Sequence, residues 1–557
     1  MSSAVHKRRP LLQKQQDDEK DDAASNSIVN YGPFSESNIL YWILGLRLVS
    51  IPLVQTYFAP DEYWQSLEVA HKLVYGYGFL TWEWKLGLRS YLHPLAIAVL
   101  FFAFKYTGLD SVSMLINGPR ICQAVMSTFA DVYFYRFVKE HFGKDLAIWT
   151  TLSLCTSWIW FYCASRTLMN TVETALACFA MYYYPWNLGM KQSEVTWKIS
   201  KFTVITSLSV VLRPTSAAMW APMYVWLLYK YFRHSTILVK MFLKIAVLAL
   251  LTLAIATFVD RMIYGRWVFA HYHFLHFNVI TGQGTYFGRE PWHWYVTEGI
   301  PVITGPHLPL VAYGVYLTCR KRIIHSCREK VVSTMLLVIC GSTVFMYSVP
   351  GHKEHRYLLN LVPILCFFSG ISMRSFNRKW KKLAVAWLVV TNLVMVLYFG
   401  LVHQSAPLKV VDFLQKRAKS DLKYNTELTG QFALFLLPCH STPYYSHIHH
   451  NVSMHFLTCH PDLEGYGKRE YIDEQDTFYK NPKQWLDINV LQSVTPSNKC
   501  PDNLPKHIIM YDNLLPDVLP SISMCYASCF TTFHTHFPEG KTGQNMWVYC
   551  RFPNNDG

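Results

Sequence analysis

The chain predicts a polytopic α-helical membrane protein with about 11 spans and a small α/β region at its C-terminal end. Three observations carry this reading. Of its 557 residues 51% are hydrophobic and 16% aromatic, while only 16% are charged, an imbalance unlike that of a soluble domain. Apolar runs near the ~20 residues that a spanning helix needs recur through the first three quarters. The final quarter then changes character, so the mean hydropathy of +0.13 averages two unlike regions.

Taken in order, the expected spans are 39–57, 91–107, 112–136, 146–163, 171–187, 199–231, 241–263, 300–318, 331–349, 357–373 and 383–402. The sixth run is interrupted at Arg213-Pro214. It is expected to cross once, or to be a broken pair compensated elsewhere, because two crossings there would otherwise break the parity of the chain ends. Residues 1–38 have neither an apolar core nor a cleavage site and read as a disordered cytosolic tail. Residues 39–402 form the membrane region, with a first loop at 58–90, and residues 403–557 form the polar C-terminal domain. There, short runs such as QFALFLLP, KHIIMYD and NMWVYCRF, bounded by Pro, Asn and Gly, predict strands.

The formal charge of +15 is gathered in short clusters between the apolar runs: KRR before the first span, KYFRHSTILVK at 230–240, CRKRIIHSCREK at 319–330 and RSFNRKWKK at 374–382. The positive-inside rule makes these cytosolic, which places 58–90, 264–299, 350–356 and the tail on the opposite, lumenal face. No basic face or aromatic platform on a polar domain suggests nucleic acid. Six of the 14 Cys lie in the tail, an even set that permits disulfides in an oxidising compartment without revealing their pairing. The N-V-S at Asn451 is a glycosylation acceptor on the same predicted face.

Two constellations carry candidate chemistry. In FAPDEYWQSLEVAHK, the carboxylates Asp61 and Glu62 follow the first span directly, with Gln65 beyond them. On a helix Trp64, Glu68 and His71 share one face through their i, i+4, i+7 spacing. In GHKEHRYLLN, His352, Lys353, Glu354, His355 and Arg356 crowd a loop too short for a solvated domain. Lys and Arg beside His make a phosphate-binding cluster. Basic residues on the non-cytosolic side run against the orientation bias, which favours function over simple interfacial anchoring. Ionisable residues within or near spans (Arg47, Arg120, Asp131, Arg166, Arg213, Asp260 and Arg261) must be paired or line a cavity. Arg213, beside a helix-breaking Pro, is the strongest functional candidate among them. No H-E-x-x-H, paired C-x-x-C or P-loop occurs, so neither a metal nor a nucleotide is expected.

The stretches FAPDEYWQSLEVAHKLVYGYGFLTWEW, RSYLHP, RTLMNTVET, RPTSA, PWHWY and HKEHRYLLN occur in this order. Together they resemble the polytopic mannosyltransferases of glycosyltransferase family 22. With PCHSTPYYSHIH and FHTHFPEG, the tail narrows the resemblance to the branch that builds glycosylphosphatidylinositol (GPI). Position 355 is His where relatives more often carry an aromatic. The resemblance implies a GT-C fold in the endoplasmic reticulum membrane and an inverting α1,2 transfer from dolichyl phosphate mannose to a dimannosyl GPI precursor, adding the third mannose of the core. No other cofactor is implied. Mapped onto this chain, it implies Asp61 or Glu62 as the base, with Asp61 preferred. His352, Lys353, Arg356 and Arg213 would hold the donor phosphate; Trp64, Gln65, Glu68, His71, Arg166 and Glu354 would support the site or bind substrate. The competing expectations are another lipid-linked oligosaccharide mannosyltransferase, a lipid transporter or flippase, and an inert assembly subunit.

Overall fold

The computed structural model describes residues 38–186, 191–320, 326–424, 430–461, 472–492 and 500–552. The expected N-terminal tail lies outside them apart from Asn38. The helices that matter below are α1 (Ile39–Leu53), α2 (Glu68–Tyr75), α3 (Leu92–Thr107), α4 (Val112–Phe142), α5 (Lys144–Thr156), α6 (Met169–Tyr183), α7 (Gln192–Leu212), α8 (Ala217–Tyr231), α9 (Ser235–Tyr264), α10 (Leu308–Cys319), α11 (Cys327–Ser348), α12 (Val362–Ser375), α13 (Arg378–Leu401) and α14 (Ala406–Tyr424). By length and composition, six helical stretches among the described residues can cross a membrane: 192–212, 235–264, 295–319, 327–348, 355–375 and 378–423. The chain is a polytopic helical membrane protein.

Helix α12 runs through the centre of the bundle, with every residue from Val362 to Met373 buried. It meets its neighbours almost backbone to backbone. A Cβ on Gly370 would lie 2.8 Å from the Thr150 backbone nitrogen of α5, and one on Gly314 of α10 would overlap the Phe368 carbonyl. Small residues at such crossings are how helices gain packing where lipid offers no hydrophobic drive. A buried ion pair ties α1 to α4: Arg47 Nη2 is 2.8 Å from Asp131 Oδ2, and Trp160 Nε1 donates to Asp131 Oδ1 at 2.8 Å.

Two expected spans come out differently. The 199–231 run is not one span. Arg213 is extended (φ −140°, ψ 104°), as the residue before a proline prefers to be, and the chain reverses there. Val195 and Ile199 consequently share a cluster with Leu227, and the Thr206 and Tyr224 hydroxyls lie 2.6 Å apart, so α7 and α8 form a hairpin. Residues 91–107 are not a span at all. At one end of α3, the Tyr91 amide donates to Asp260; at the other, Lys105 Nζ donates to the Val74 carbonyl in the first loop. Both ends therefore lie on the same face. Its apolar character serves packing: Ile97, Ala98 and Phe101 sit in a core with Val410, Leu414, Phe432 and Phe435 of the tail.

The tail carries a five-stranded sheet of β1 (Ala433–Leu436), β2 (Met454–Phe456), β3 (His507–Tyr511), β4 (Tyr526–Phe533) and β5 (Asn545–Arg551), in the order β2-β1-β3-β5-β4. β1 pairs in parallel with β2 and β3, while β5 runs antiparallel to β3 and β4. β1 and β3 are buried along their whole length, because both faces of the sheet centre are covered. Phe435, Ile509 and Val548 pack toward the first loop. Leu434, Ile508 and Met510 pack toward Leu486, Val518 and Ile522. All six tail cysteines are paired, as Cys439–Cys459, Cys500–Cys525 and Cys529–Cys550, and the other eight are free thiols.

Because removing one partner of a buried pair strands the other charge, Arg47→Ala or Asp131→Ala is expected to cost about 3–5 kcal/mol. Thermal unfolding in detergent should show that loss, with most of it recovered in the Arg47→Met/Asp131→Leu double variant.

Candidate active site

Four segments distant in sequence meet on one face: the first loop, the 265–299 loop, the 349–361 loop and the tail. The first loop is placed by its extended entry segment, residues 54–57. Gln55 and Tyr57 donate their amides to the Gly400 and Gln404 carbonyls, Arg120 Nη2 donates to the Val54 carbonyl at 2.8 Å, and Arg166 Nη2 to the Thr56 carbonyl at 2.8 Å. Pro60 then opens a helical turn whose Tyr63 and Trp64 amides bond back to its carbonyl. Asp61 and Glu62 stand at the start of that turn.

The two carboxylates do not share a site. Asp61, with a quarter of its side chain accessible, forms an ion pair with Arg356 Nη1 and lines two adjoining cavities of about 120 and 510 Å³. Glu62 is buried, pairs with Arg166 Nη1 at 2.6 Å, and lines a different cavity behind the loop. Successive residues of a helical turn point in different directions, so the two acids expected to serve one site line different cavities.

Asp61 and Arg356 belong to a larger network. The Arg356 guanidinium also grips Glu354, with Nε to Oε2 and Nη2 to Oε1 both at 2.5 Å. Glu354 further accepts from the Tyr357 hydroxyl at 2.9 Å and lies 3.1 Å from His352 Nε2. Burial opposes its charged form, but Arg356 and His352 outweigh it and hold the carboxyl well below the usual carboxylate range. Arg356 is therefore engaged by two carboxylates rather than presented as a free phosphate fork. Lys353 departs from the expected clamp too: its Nζ donates to the Pro350, Glu290 and Gly351 carbonyls at 2.7, 3.0 and 3.4 Å, which staples the 350s loop to the 265–299 loop. His355 packs its ring 4.6 Å from that of Trp294, so the imidazole fills the aromatic role at this position.

The smaller cavity is lined by Asp61, Gln65, Arg89, Asn170, Arg213, Phe274, His352 and Tyr357 among others. Arg213 is anchored through Nη1 to Glu173 Oε2 at 2.7 Å and lies 5.0 Å above the Tyr357 ring. Asn360 holds the other Glu173 oxygen at 3.0 Å. The larger cavity adds Trp64, Glu83, Lys353, Glu354, Arg356 and His440. Arg89 lines both, held by Glu83 at 2.8 Å, whose second oxygen accepts from Gln65 at 3.2 Å. Sequence reasoning missed Arg89 and Glu173 as site residues, although both sit inside the motifs RSYLHP and RTLMNTVET.

Trp64, Glu68 and His71 do share one face, and that face docks the tail. Trp64 Nε1 donates to the Thr442 carbonyl at 3.0 Å. His71 Nε2 is 3.0 Å from His449 Nδ1. Glu68, fully buried, accepts from the Tyr444 amide at 2.8 Å and from the Ser446 hydroxyl at 2.5 Å. Glu68 and His71 thus fasten the first loop to the tail, whereas Trp64 and Gln65 also line a cavity. Asn451 lies exposed in the loop before β2.

The model of the Alg9-like mannosyltransferase family matches residues 38–449, and the chain belongs to this family: it is a membrane mannosyltransferase. Among curated relatives, the GPI alpha-1,2-mannosyltransferase 3 of Danio rerio is 38% identical over 92% of this chain and 90% of its own length. The Homo sapiens protein of the same name is 38% identical over 92% of this chain and 87% of its own. The fold is shared with the crystal structure of ArnT from Cupriavidus metallidurans bound to undecaprenyl phosphate, at a TM-score of 0.54 and 11% identity over 93% of this chain and 98% of that one.

Burial pushes Glu68 from its ordinary 4.5 up to about 7, against the hydrogen bonds from Ser446 and Tyr444. A carboxyl raised on folding stabilises below its unfolded pKa and loses that contribution as pH climbs through the folded one. Relative to Glu68→Gln, the wild-type chain should therefore lose up to about 3 kcal/mol between pH 4.5 and 7, read as the difference in thermal midpoints across that window.

Proposed function

We propose that this mannosyltransferase takes mannose from dolichyl phosphate mannose and adds it, in α1,2 linkage, to the second mannose of a dimannosyl GPI precursor, giving the third mannose of the core. The carrying observation is Asp61, which lies at the junction of two cavities. The narrower one, with Arg213, Arg89 and His352 beside apolar Met169, Phe274 and Val279, suits a phosphate on an isoprenoid chain. The wider and more polar one suits the acceptor sugars. The relatives' names support the linkage and the pathway.

In this reading the acceptor hydroxyl oxygen bonds to the anomeric carbon as the bond from that carbon to the phosphate oxygen breaks. The hydroxyl proton passes to Asp61, and dolichyl phosphate leaves with the electron pair. A β-linked donor and an α product require this single inverting displacement. Glycoside hydrolysis needs a second carboxyl as acid, but a phosphate leaves without one, so a single base suffices. Arg356 aims Asp61 through their ion pair, and Glu354 holds Arg356 in turn. Arg213, Arg89 and His352 stabilise the charge that develops on the phosphate. Cationic side chains supply that charge, so the reading calls for no metal.

We place the site on the lumenal face of the endoplasmic reticulum membrane, with the N-terminus cytosolic and the tail lumenal. Withdrawing 91–107 as a span while splitting 199–231 into two keeps the number of crossings odd, which is the parity this orientation needs. Asp61→Asn should lower mannose transfer in membranes on the order of 10²–10⁴-fold at normal protein level; turnover near the wild-type rate would refute the base assignment. Asn451 should carry an N-glycan, seen as a mass shift removed by glycosidase and absent in Asn451→Gln, and a bare Asn451 would count against the lumenal tail.

A further inference from the structure

Behind the first loop lies a cavity of about 670 Å³. It shares no lining residue with the two that Asp61 joins. Its floor is Glu62, Arg120, Arg166, Thr167 and His447, all buried. Its rim carries Ser113, Lys409 and Asp412, which are exposed.

The charges do not balance within it. Glu62 is spent on Arg166, and the rim carboxylate Asp412 is held by Lys416 one helical turn on, at 2.6 Å. His447 is kept neutral, driven down to about 3 chiefly by burial and then by Arg120 and His71. That leaves Arg120 and Lys409. Arg120 is only 9% exposed. One nitrogen, Nη2, donates to the Val54 carbonyl, and Nε is buried without a hydrogen-bond partner. Among the described residues no carboxylate lies within ion-pair distance of it. Lys409 Nζ meets a hydroxyl, that of Ser405, at 3.2 Å. Glu62 acts on Arg120 only from a distance and is offset by Arg166; a buried guanidinium without an ion-pair partner costs several kcal/mol, and the arrangement accounts for that cost if an anion completes it. Apolar Val54, Leu67, Val112, Ile116 and Leu408 on the same walls suit the glycerol and upper acyl carbons of a lipid.

We propose that this cavity is a second anion site, distinct from the donor site, which takes the phosphodiester of a lipid headgroup between Arg120 and Lys409. The phosphodiester could be that of a bilayer phospholipid or, resting on the reading above, that of the inositol-bearing acceptor. The test titrates the full-length protein in neutral detergent with phosphatidylinositol, phosphatidylglycerol or phosphatidylcholine and follows the thermal midpoint. Anionic lipid should raise the midpoint saturably and phosphatidylcholine should not. Arg120→Gln should weaken the apparent affinity by about tenfold or more, as the loss of a charge-assisted hydrogen bond implies. Lys409→Gln, at an exposed position, should weaken it several-fold. A response to phosphatidylinositol alone identifies an inositol phosphodiester; equal responses to both anionic lipids identify a bilayer phospholipid. No response to either, or wild-type affinity in both variants, overturns the proposal. Dolichyl phosphate, titrated in parallel, should stabilise Lys409→Gln as it does wild type, which separates this site from the donor reading.

Discussion

The site depends on one guanidinium. Arg356, 6% exposed, bonds Asp61 of the first loop and Glu354 of its own loop at once. A buried cation cannot be left unpaired without a penalty of several kcal/mol, so parting the two loops would strand the Arg356 charge. Electrostatics does here what helix packing cannot, because irregular backbone at a membrane face has no ladder of its own to hold it. The rest of the frame follows the same rule: Arg213 is anchored by Glu173, Arg89 by Glu83, and Lys353 by three carbonyls.

The adjacent acids show how a single turn divides labour. Pro60 starts a helical turn, and the angular step between successive residues sends Asp61 toward Arg356 and Glu62 toward Arg166. One carboxylate stays partly accessible beside cavities that suit substrate. The other is sealed into an ion pair that also secures the entry segment, since the same Arg166 bonds the Thr56 carbonyl. Glu62 thereby supports Asp61 through the backbone, from the far side of the loop.

The tail is a structural wall of the site as well as a sheet. His440 lines the larger cavity, and Trp64, Glu68 and His71 fasten the first loop to residues 442–449. Much of this could be read ahead of the structure. The runs at 431–438, 506–512 and 545–552 became β1, β3 and β5, because their apolar and β-branched content suits a sheet covered on both faces. The strands β2 and β4 were not legible, being short or polar at their edges. The i, i+4, i+7 face of Trp64, Glu68 and His71 was correct as geometry, yet its partner was invisible, since it lies nearly four hundred residues away.

What the sequence determined by itself is what local chemistry dictates: apolar runs that must be helical in lipid, a proline that breaks one of them at Arg213, charge clusters between those runs, and two charged motifs that the fold brings to one site. What the tertiary structure alone decided is pairing. The hydropathy of residues 92–107 is equally that of a short span and of a loop helix packed under a tail, and only long-range contact distinguishes them. The same holds for the charges. A row of Lys, Arg, His and Glu announces a site, but which cation meets which carboxylate, and which is left to face a ligand, is set by distances between segments far apart in the chain, and linear order carries no record of these.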